Sequence, residues 1–127
     1  MAYKKQNILY FNTRDELLKV NLDRVVYIEA EANYVRINLV NGLSALVRMT
    51  LGQMETVLAT RTAADKFARI GKRFIVNLSF VFWINVLKRE LVLSDQKSFD
   101  KTLSVSKEAL RQLKDLMKKT YTLIKND

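Results

Sequence analysis

The residues of this chain that could do chemistry are concentrated around Gly71. Arg69, Lys72 and Arg73 lie within a segment of five residues, and the glycine among them lets the backbone turn. The guanidinium of arginine is a planar fork that fits a phosphate or the O6/N7 edge of guanine, whereas lysine is a mobile point charge suited to phosphate. The pattern is typical of a turn that presents cations to an anionic partner, although three cations also fit a loop that only keeps the protein in solution.

The charge of the whole chain indicates the same kind of partner. Among 127 residues, 22 Lys and Arg side chains stand against 13 Asp and Glu side chains, which gives a net charge of +9 at pH 7. Residues 64–127 carry 14 of the basic and 7 of the acidic side chains, compared with 8 and 6 in residues 1–63. An excess of this size, concentrated in one half of the chain, predicts an anionic partner.

The residue types that are missing exclude most enzyme chemistry. The chain has no Cys and no His, so thiolate nucleophiles, imidazole bases and Cys/His zinc sites are excluded. Its three glycines form no phosphate-binding loop. Glu29 and Glu31 would share a strand face, but without a third acidic residue nearby we interpret them as solvated or ion-paired. We therefore predict no enzyme activity, no catalytic residue, no metal and no cofactor.

Nothing in the sequence indicates a membrane span or a division into domains. No run reaches the roughly 18 apolar residues that a membrane-spanning helix needs, and the N-terminus has no apolar stretch typical of a signal peptide. No Gly/Ser-rich or Pro-rich linker interrupts the chain. We expect a cytoplasmic protein in which residues 1–127 form a single domain, with no membrane partner.

Most of the apolar residues recur with a period of two, which is typical of strands. Because most neighbouring strands have no helix between them, we predict a mostly β fold with antiparallel pairing. The predicted strands are Ile8–Phe11, Leu17–Asn21, Val25–Glu29, Tyr34–Val40, Ser44–Met49, Phe74–Val76, Phe80–Val86, Leu91–Ser94 and Thr102–Val105.

Asn41 and Gly42 predict a hairpin turn, because both residues tolerate positive φ. A two-residue loop would mix charged and apolar side chains on both faces of the hairpin. A three-residue loop, with Gly42 as the left-handed residue of a bulge, produces one apolar face instead. We therefore predict the three-residue loop, which pairs Leu39 with Leu43, Ile37 with Ala45, and Val35 with Val47.

Two helices are predicted from their capping residues. Thr50 and Gln53 form a capping box at the start of a short helix, Leu51–Ala59. Ser106 is a suitable N-cap for a C-terminal helix, with Glu108 in its first turn. The apolar face of this second helix consists of Leu110, Leu113, Leu116 and Met117. Its basic face consists of Arg111, Lys114, Lys118 and Lys119.

Taken in order, several segments resemble the LytTR DNA-binding domain of bacterial transcriptional regulators, many of which are response regulators. The resemblance covers residues from about 25 to 119 and depends on an ordered set of segments: Val25–Ala30, Asn33–Val35, Val47–Leu51, Phe67–Ile70, Phe74–Asn77 and Leu103–Lys107. It implies an elongated assembly of small, mostly antiparallel sheets with a short central helix and a C-terminal helix. It also implies sequence-specific binding of double-stranded DNA and transcription regulation within two-component systems, through loops that enter successive major grooves.

The resemblance also implies which residues contact DNA. The family's contact loops fall at the turn ending in Asn33, at Gly71–Arg73 and at Ser106–Lys107. The middle loop of the family more often has His-Arg-Ser, and its last position more often has Arg, so the base preference does not transfer. We expect Arg73 or Lys72 to read bases. The complete expected set is Asn33, Arg48, Arg69, Lys72, Arg73, Ser106 and Lys107, with phosphate contacts from Arg69, Lys107 and Arg48.

Two of these positions have an equally simple structural explanation. Asn33 fits a turn residue with a left-handed φ, and Ser106 fits an N-cap, whose helix amides would bind phosphate together with Lys107. The family resemblance further implies two copies on repeated half-sites and an upstream receiver domain or sensor kinase pathway. Residues 1–20 contain neither a receiver nor a membrane sensor, so the chain is either a stand-alone regulator or a domain of a longer one.

Two other functions remain open from the sequence. One is a β module that binds RNA or single strands through a basic surface with aromatic residues. We expect Tyr27, Tyr34 and Trp83 to pack in the core, which argues against that function. The other is a protein-interaction module that uses the basic C-terminal helix to bind an acidic partner.

Overall fold

The computed structural model describes residues 7–61 and 63–126. The chain divides into two compact units, Met1–Phe80 and Val81–Asp127. The described residues form ten strands in three antiparallel sheets, together with two α-helices. The mostly β, antiparallel fold predicted from the sequence is confirmed. Neither helix in this part of the chain has the length and apolar character needed to cross a membrane.

The first unit contains seven strands and one α-helix. Their bounds are β1 Ile8–Asn12, β2 Leu17–Asn21, β3 Val25–Glu31, β4 Tyr34–Leu39, β5 Ser44–Val47, α1 Leu51–Leu58, β6 Phe67–Ile70 and β7 Phe74–Asn77. β1 and β2 pair with each other, and the other strands form a sheet in the order β5-β4-β3-β7-β6. The β6 strand is absent from the sequence prediction, because Arg69 stands among three apolar residues and no polar and apolar alternation results.

The core of the first unit lies between α1 and one face of the five-stranded sheet. The buried side of the helix consists of Leu51, Met54 and Leu58. The sheet residues in the same apolar cluster include Ile28, Val35, Ile37 and Ile75. Successive residues of a strand point to opposite faces, so the alternate residues Glu29, Arg36 and Phe74 lie on the face away from the helix.

The hairpin between β4 and β5 has the predicted three-residue loop. Val35 pairs with Val47 and Ile37 pairs with Ala45. The Leu39 amide donates to the Leu43 carbonyl at 2.9 Å. Gly42 has a φ of +86°, a conformation that costs a residue with a Cβ atom but not glycine. The register predicted from the separation of polar and apolar side chains is therefore confirmed.

The capping box of α1 is also present. The Gln53 amide donates to Thr50 Oγ1 at 3.1 Å, and the Thr50 amide donates to Gln53 Oε1 at 2.9 Å. These two bonds satisfy backbone donors that have no partner within the helix. The helix ends at Leu58, one residue before the predicted end.

The second unit contains three strands and the C-terminal helix. Their bounds are β8 Val81–Asn85, β9 Glu90–Ser94, β10 Asp100–Ser104 and α2 Lys107–Thr120, and the sheet order is β10-β9-β8. The most deeply buried apolar side chains of this unit are Leu91, Leu93, Leu103, Leu110 and Leu113. Of the four residues predicted for the apolar face of α2, Leu110 and Leu113 are buried, Met117 is half-buried, and Leu116 is exposed.

The prediction that all three aromatic residues pack in the core is wrong for two of them. Tyr27 is buried, but Tyr34 is 41% exposed and Trp83 is 60% exposed. The register of β8 against β9 shifts between Val81 and Trp83. A bulge of this kind breaks the alternation of faces along a strand, so the period of two no longer places Trp83 correctly. Its ring instead makes an edge contact with exposed Phe82, with 6.4 Å between the ring centroids.

The turn between β9 and β10 is built around the carboxylate of Asp95. Its Oδ1 accepts hydrogen bonds from the amides of Lys97, Ser98 and Phe99 at 2.8–3.1 Å, and its Oδ2 accepts one from the Ser98 hydroxyl at 2.6 Å. The Ser98 bonds make the largest contribution to a pKa of Asp95 that lies well below the ordinary aspartate value. The charged carboxylate therefore stabilises this turn.

Replacing Asp95 with asparagine should reduce stability at neutral pH and make the unfolding midpoint less sensitive to acid. A group whose pKa is lowered in the folded state stabilises the protein above its unfolded-state pKa, about 3.9 for aspartate. That contribution is lost as the pH falls toward the folded-state pKa. Urea unfolding from pH 7 to pH 2 should show that the wild type has the higher free energy of unfolding, by a difference that narrows below about pH 4. If the difference in the free energy of unfolding stayed constant over this range, the Asp95 charge would not be what stabilises the turn.

Candidate nucleic-acid interface

The cationic turn predicted around Gly71 connects β6 to β7. Ile70 pairs with Phe74, so Gly71, Lys72 and Arg73 form the turn between the paired ends. Gly71 has a φ of +59°, which is the left-handed conformation that glycine adopts most easily. All three turn residues are exposed. The turn therefore presents exposed Lys72 and Arg73 at the end of the sheet.

Arg69 holds the backbone of this turn. Its Nε donates to the Gly71 carbonyl at 3.1 Å, and its Nη2 donates to the Lys72 carbonyl at 3.4 Å. Its Nη1 donates to Glu55 Oε1 of α1 at 2.5 Å. One guanidinium thus ties the turn to the helix behind the sheet. A phosphate contact by Arg69 stays a prediction, beside this observed positioning role.

Replacing Arg69 with lysine should loosen the turn while leaving the fold intact. An ammonium group cannot reproduce the fork that reaches two carbonyls and a carboxylate at once. We expect faster amide exchange at Lys72 and Arg73 and about 10-fold weaker duplex binding, equivalent to about one lost hydrogen bond to a charged group. The control is Glu55→Gln, which keeps both turn bonds. If the amides of Lys72 and Arg73 exchanged equally slowly in the wild type and in Arg69→Lys, Arg69 would not be what holds the turn in place.

Arg73 is held from two sides but remains 66% exposed at its side chain. Its Nη2 donates to Glu29 Oε2 of β3, and its guanidinium carbon lies 5.2 Å from the centroid of the Phe74 ring. The Arg73 carbonyl accepts a hydrogen bond from the Ala30 amide at 2.8 Å. The ion pair and the aromatic face restrict the fork without burying it.

A second acid–base pair lies next to Glu29 on the same sheet face. Arg36 faces Glu29 across β3 and β4. Its Nε and Nη2 donate to Glu31, and its Nη1 donates to the Ser44 hydroxyl at 2.9 Å. The hydrogen bond from Arg36 holds the pKa of Glu31 below its ordinary value. Glu29 and Glu31 are therefore both ion-paired, which is one of the two interpretations made from the sequence.

Asn33 and Arg48 lie at the same end of the five-stranded sheet as the cationic turn. Asn33 is exposed in the turn between β3 and β4, and Arg48 is exposed directly after β5. The register places the end of β3 beside the start of β7, and Val47 beside Val35 near the start of β4. With neighbouring strands about 4.8 Å apart, Arg48 and the cationic turn are separated by about three strand spacings, or about 14 Å.

The alternative interpretation of Asn33 as a left-handed turn residue is wrong. The positive φ of this turn, +52°, belongs to Ala32 instead. The Asn33 side chain is therefore not needed to tolerate an unusual backbone conformation. Neither Asn33 nor Arg48 makes a side-chain hydrogen bond or ion pair with the part of the chain that the structure describes.

The remaining expected contacts belong to the second unit. Ser106 caps α2, because its hydroxyl accepts a hydrogen bond from the Ala109 amide at 3.2 Å. Lys107 is the first residue of the helix and is half-buried. The N-cap interpretation of Ser106 is confirmed, and this leaves the other amides of the first turn available to an anion.

Sequence reasoning missed the acidic and aromatic partners of the turn arginines. Glu55 is 14 residues before Arg69, and Glu29 is 44 residues before Arg73. Their contacts depend on the strand order β3-β7-β6 and on the position of α1, neither of which the sequence pattern predicted. The Glu29–Glu31 spacing was a usable signal, because it placed both carboxylates on one strand face.

The fold and these residues define a class of protein: a β-rich chain with exposed cations at strand ends of its first unit and a capped, lysine-bearing helix start in its second. The family model of the LytTr DNA-binding domain matches residues 15–118. The chain therefore belongs to the LytTr DNA-binding domain family, as the resemblance indicated.

A solved structure has the same fold. It is the LytTr DNA-binding domain of a methyl-accepting/DNA response regulator from Bacillus cereus, with a TM-score of 0.64 and 21% sequence identity. The match covers 88% of this chain and 97% of that one. A search of curated proteins gave no significant match.

Proposed function

We propose that this chain binds double-stranded DNA sequence-specifically and regulates transcription by inserting its turns into major grooves. The observation that carries the proposal is the convergence of Asn33, Arg48 and the Gly71–Arg73 turn at one end of a rigid sheet. Cations held there at strand spacing suit a surface of regularly spaced phosphates and base edges. Membership in a DNA-binding family supports the same function.

The proposal gives each residue a role. Arg73 or Lys72 reads base edges, since both side chains are exposed and the Arg73 fork is restrained by Glu29. Asn33 offers an amide to a base or phosphate, and Arg48 neutralises phosphate. Arg69 fixes the turn and adds positive charge. The first turn of α2 binds phosphate through its amides and Lys107, beside the Ser106 cap. The full proposed set is Asn33, Arg48, Arg69, Lys72, Arg73, Ser106 and Lys107.

The wider proposal concerns assembly and context. We propose that residues 1–127 act as one DNA-binding domain in the cytoplasm, in two copies on repeated half-sites and without enzyme activity. The similarity to a response-regulator domain supports a signal that arrives through a receiver domain or a sensor kinase.

Selection of bound duplexes from a random pool tests this function. We expect a short consensus, and binding to it that survives at physiological salt. If about six cations meet phosphates, the logarithm of the affinity should fall with the logarithm of the salt concentration at a slope near −5, from about 0.9 per contact. Equal affinity for every duplex would reduce the interaction to unspecific charge attraction and would contradict sequence-specific binding.

One observation supports single-strand binding as a second candidate. Exposed Phe82 and Trp83 on β8 present ring surfaces of the kind on which unpaired bases stack. Comparing one selected sequence as duplex, single-stranded DNA and RNA separates the two functions. Tighter binding of a single strand, lost in Trp83→Ala, would favour this second candidate over the first.

A further inference from the structure

Four cations form a straight row along α2. They occupy positions i, i+4, i+7 and i+11 of the helix: Lys107, Arg111, Lys114 and Lys118. At 3.6 residues per turn, they fall within about 60° of one another around the helix axis. We call this row the α2 cationic stripe. Arg111, Lys114 and Lys118 are exposed, and Lys107 is half-buried.

The stripe is not neutralised by the protein in the described part of the chain. The four ion pairs found among those residues involve Arg36, Lys66, Arg69 and Arg73, and none involves the stripe. The acidic residues of the helix, Glu108 and Asp115, flank the row three or four residues from Arg111, but neither forms an ion pair with it in the described part of the chain. The stripe therefore presents four cations that no ion pair with a described residue neutralises.

The helix dipole does not account for this arrangement. Cations stabilise a helix in its last turn, where Lys118 and Lys119 lie. The effect fades beyond one turn, so it does not explain Arg111 and Lys114. Lys107 in the first turn is opposed by the helix dipole. The dipole thus explains only the C-terminal end of the row, whereas an external anion would suit its whole length.

We propose that the α2 cationic stripe binds the phosphate backbone of the duplex along one strand. This inference rests on the proposed function and extends it from Ser106 and Lys107 to the length of the helix. The stripe spans 11 residues, or about 16 Å at 1.5 Å per residue. It provides four charges over that length, and about five phosphates of one DNA strand span the same distance at about 3.4 Å each, so every cation of the stripe can meet a phosphate. An acidic protein partner would not require such regular spacing.

The test compares two triple variants with the same change in charge. Arg111→Gln, Lys114→Gln and Lys118→Gln remove three stripe charges while keeping good helix formers. Lys88→Gln, Lys97→Gln and Lys101→Gln remove three exposed charges elsewhere in the same unit. Duplex affinity is measured from 0.05 to 0.3 M salt on selected and scrambled sequences, and helix content is measured by circular dichroism.

We expect the stripe variant to bind selected and scrambled duplexes about 10- to 100-fold more weakly near 0.15 M salt, with a salt slope reduced by about 2.7. Its preference for the selected sequence should stay unchanged, and the control variant should behave like wild type. Equal affinities and slopes for the two variants would overturn the stripe proposal. If the wild-type chain showed no duplex preference at all, the proposed function would fail instead, so the two failures are distinguishable.

Discussion

Replacing Arg73 with alanine is expected to weaken binding of the selected duplex by about 1–3 kcal/mol, or about 5- to 150-fold. The side chain is 66% exposed, and in the proposed role its planar fork contacts a base edge. Its loss removes only one exposed ion pair and one aromatic contact from the fold, so folding stability should change by about 1 kcal/mol or less. Calorimetric titration of the selected duplex measures the affinity, and urea unfolding measures the stability.

Arg73→Lys is the matched variant for this prediction, because it keeps the charge and removes the fork. It should retain the salt slope of the wild type but lose much of the discrimination between the selected base pair and a substituted one. If Arg73→Lys kept the wild-type affinity and the wild-type preference for the selected base pair, Arg73 would contact phosphate and not a base. Unchanged duplex binding in Arg73→Ala would remove this residue from the interface.

Replacing Asn77 with leucine is expected to lower the free energy of unfolding by about 2–6 kcal/mol, because two backbone groups would each lose a partner at about 1–3 kcal/mol. Asn77 is a buried polar residue of the first unit, with 2% of its surface exposed. Its Nδ2 donates to the Val25 carbonyl at 2.9 Å, and its Oδ1 accepts from the Ser79 amide at 3.0 Å. It thus connects the end of β7 to the start of β3.

The control for Asn77 is the same substitution at a strand end that faces solvent. Asn12→Leu in β1 changes the same atoms at an exposed position and should alter stability by about 0.5 kcal/mol or less. Urea unfolding followed by circular dichroism compares the two variants. If Asn77→Leu lowered the free energy of unfolding no more than Asn12→Leu, the Val25 carbonyl and the Ser79 amide would not depend on the Asn77 side chain.

The features predicted correctly from the sequence depend on local chemistry. The loop at Gly42 follows from the separation of polar and apolar faces, and the capping box at Thr50 follows from a four-residue spacing. Ser106 likewise fits the N-cap because its hydroxyl needs only the next turn of helix. In each case the residues that decide the structure lie within a few positions of one another.

The features that the sequence did not predict depend on distant parts of the chain or on an interrupted period. The bulge in β8 leaves Trp83 exposed, although alternation predicts that it is buried. Arg69 is held in place by Glu55, which comes from the helix on the other side of the core. The orientation of Arg73 requires Glu29 from a strand that pairs with β7 only in the folded chain. Strand order decides these contacts, and periodicity carries no information about strand order.

The three consecutive carbonyls of the cationic turn all accept hydrogen bonds from within the protein. Two accept from Arg69, and the third accepts from the Ala30 amide. The backbone conformation of this turn is thus fixed in the free protein, and binding of a ligand does not have to order it. The conformational entropy that a floppy loop would lose on docking is already lost during folding, so more of the contact energy remains as affinity.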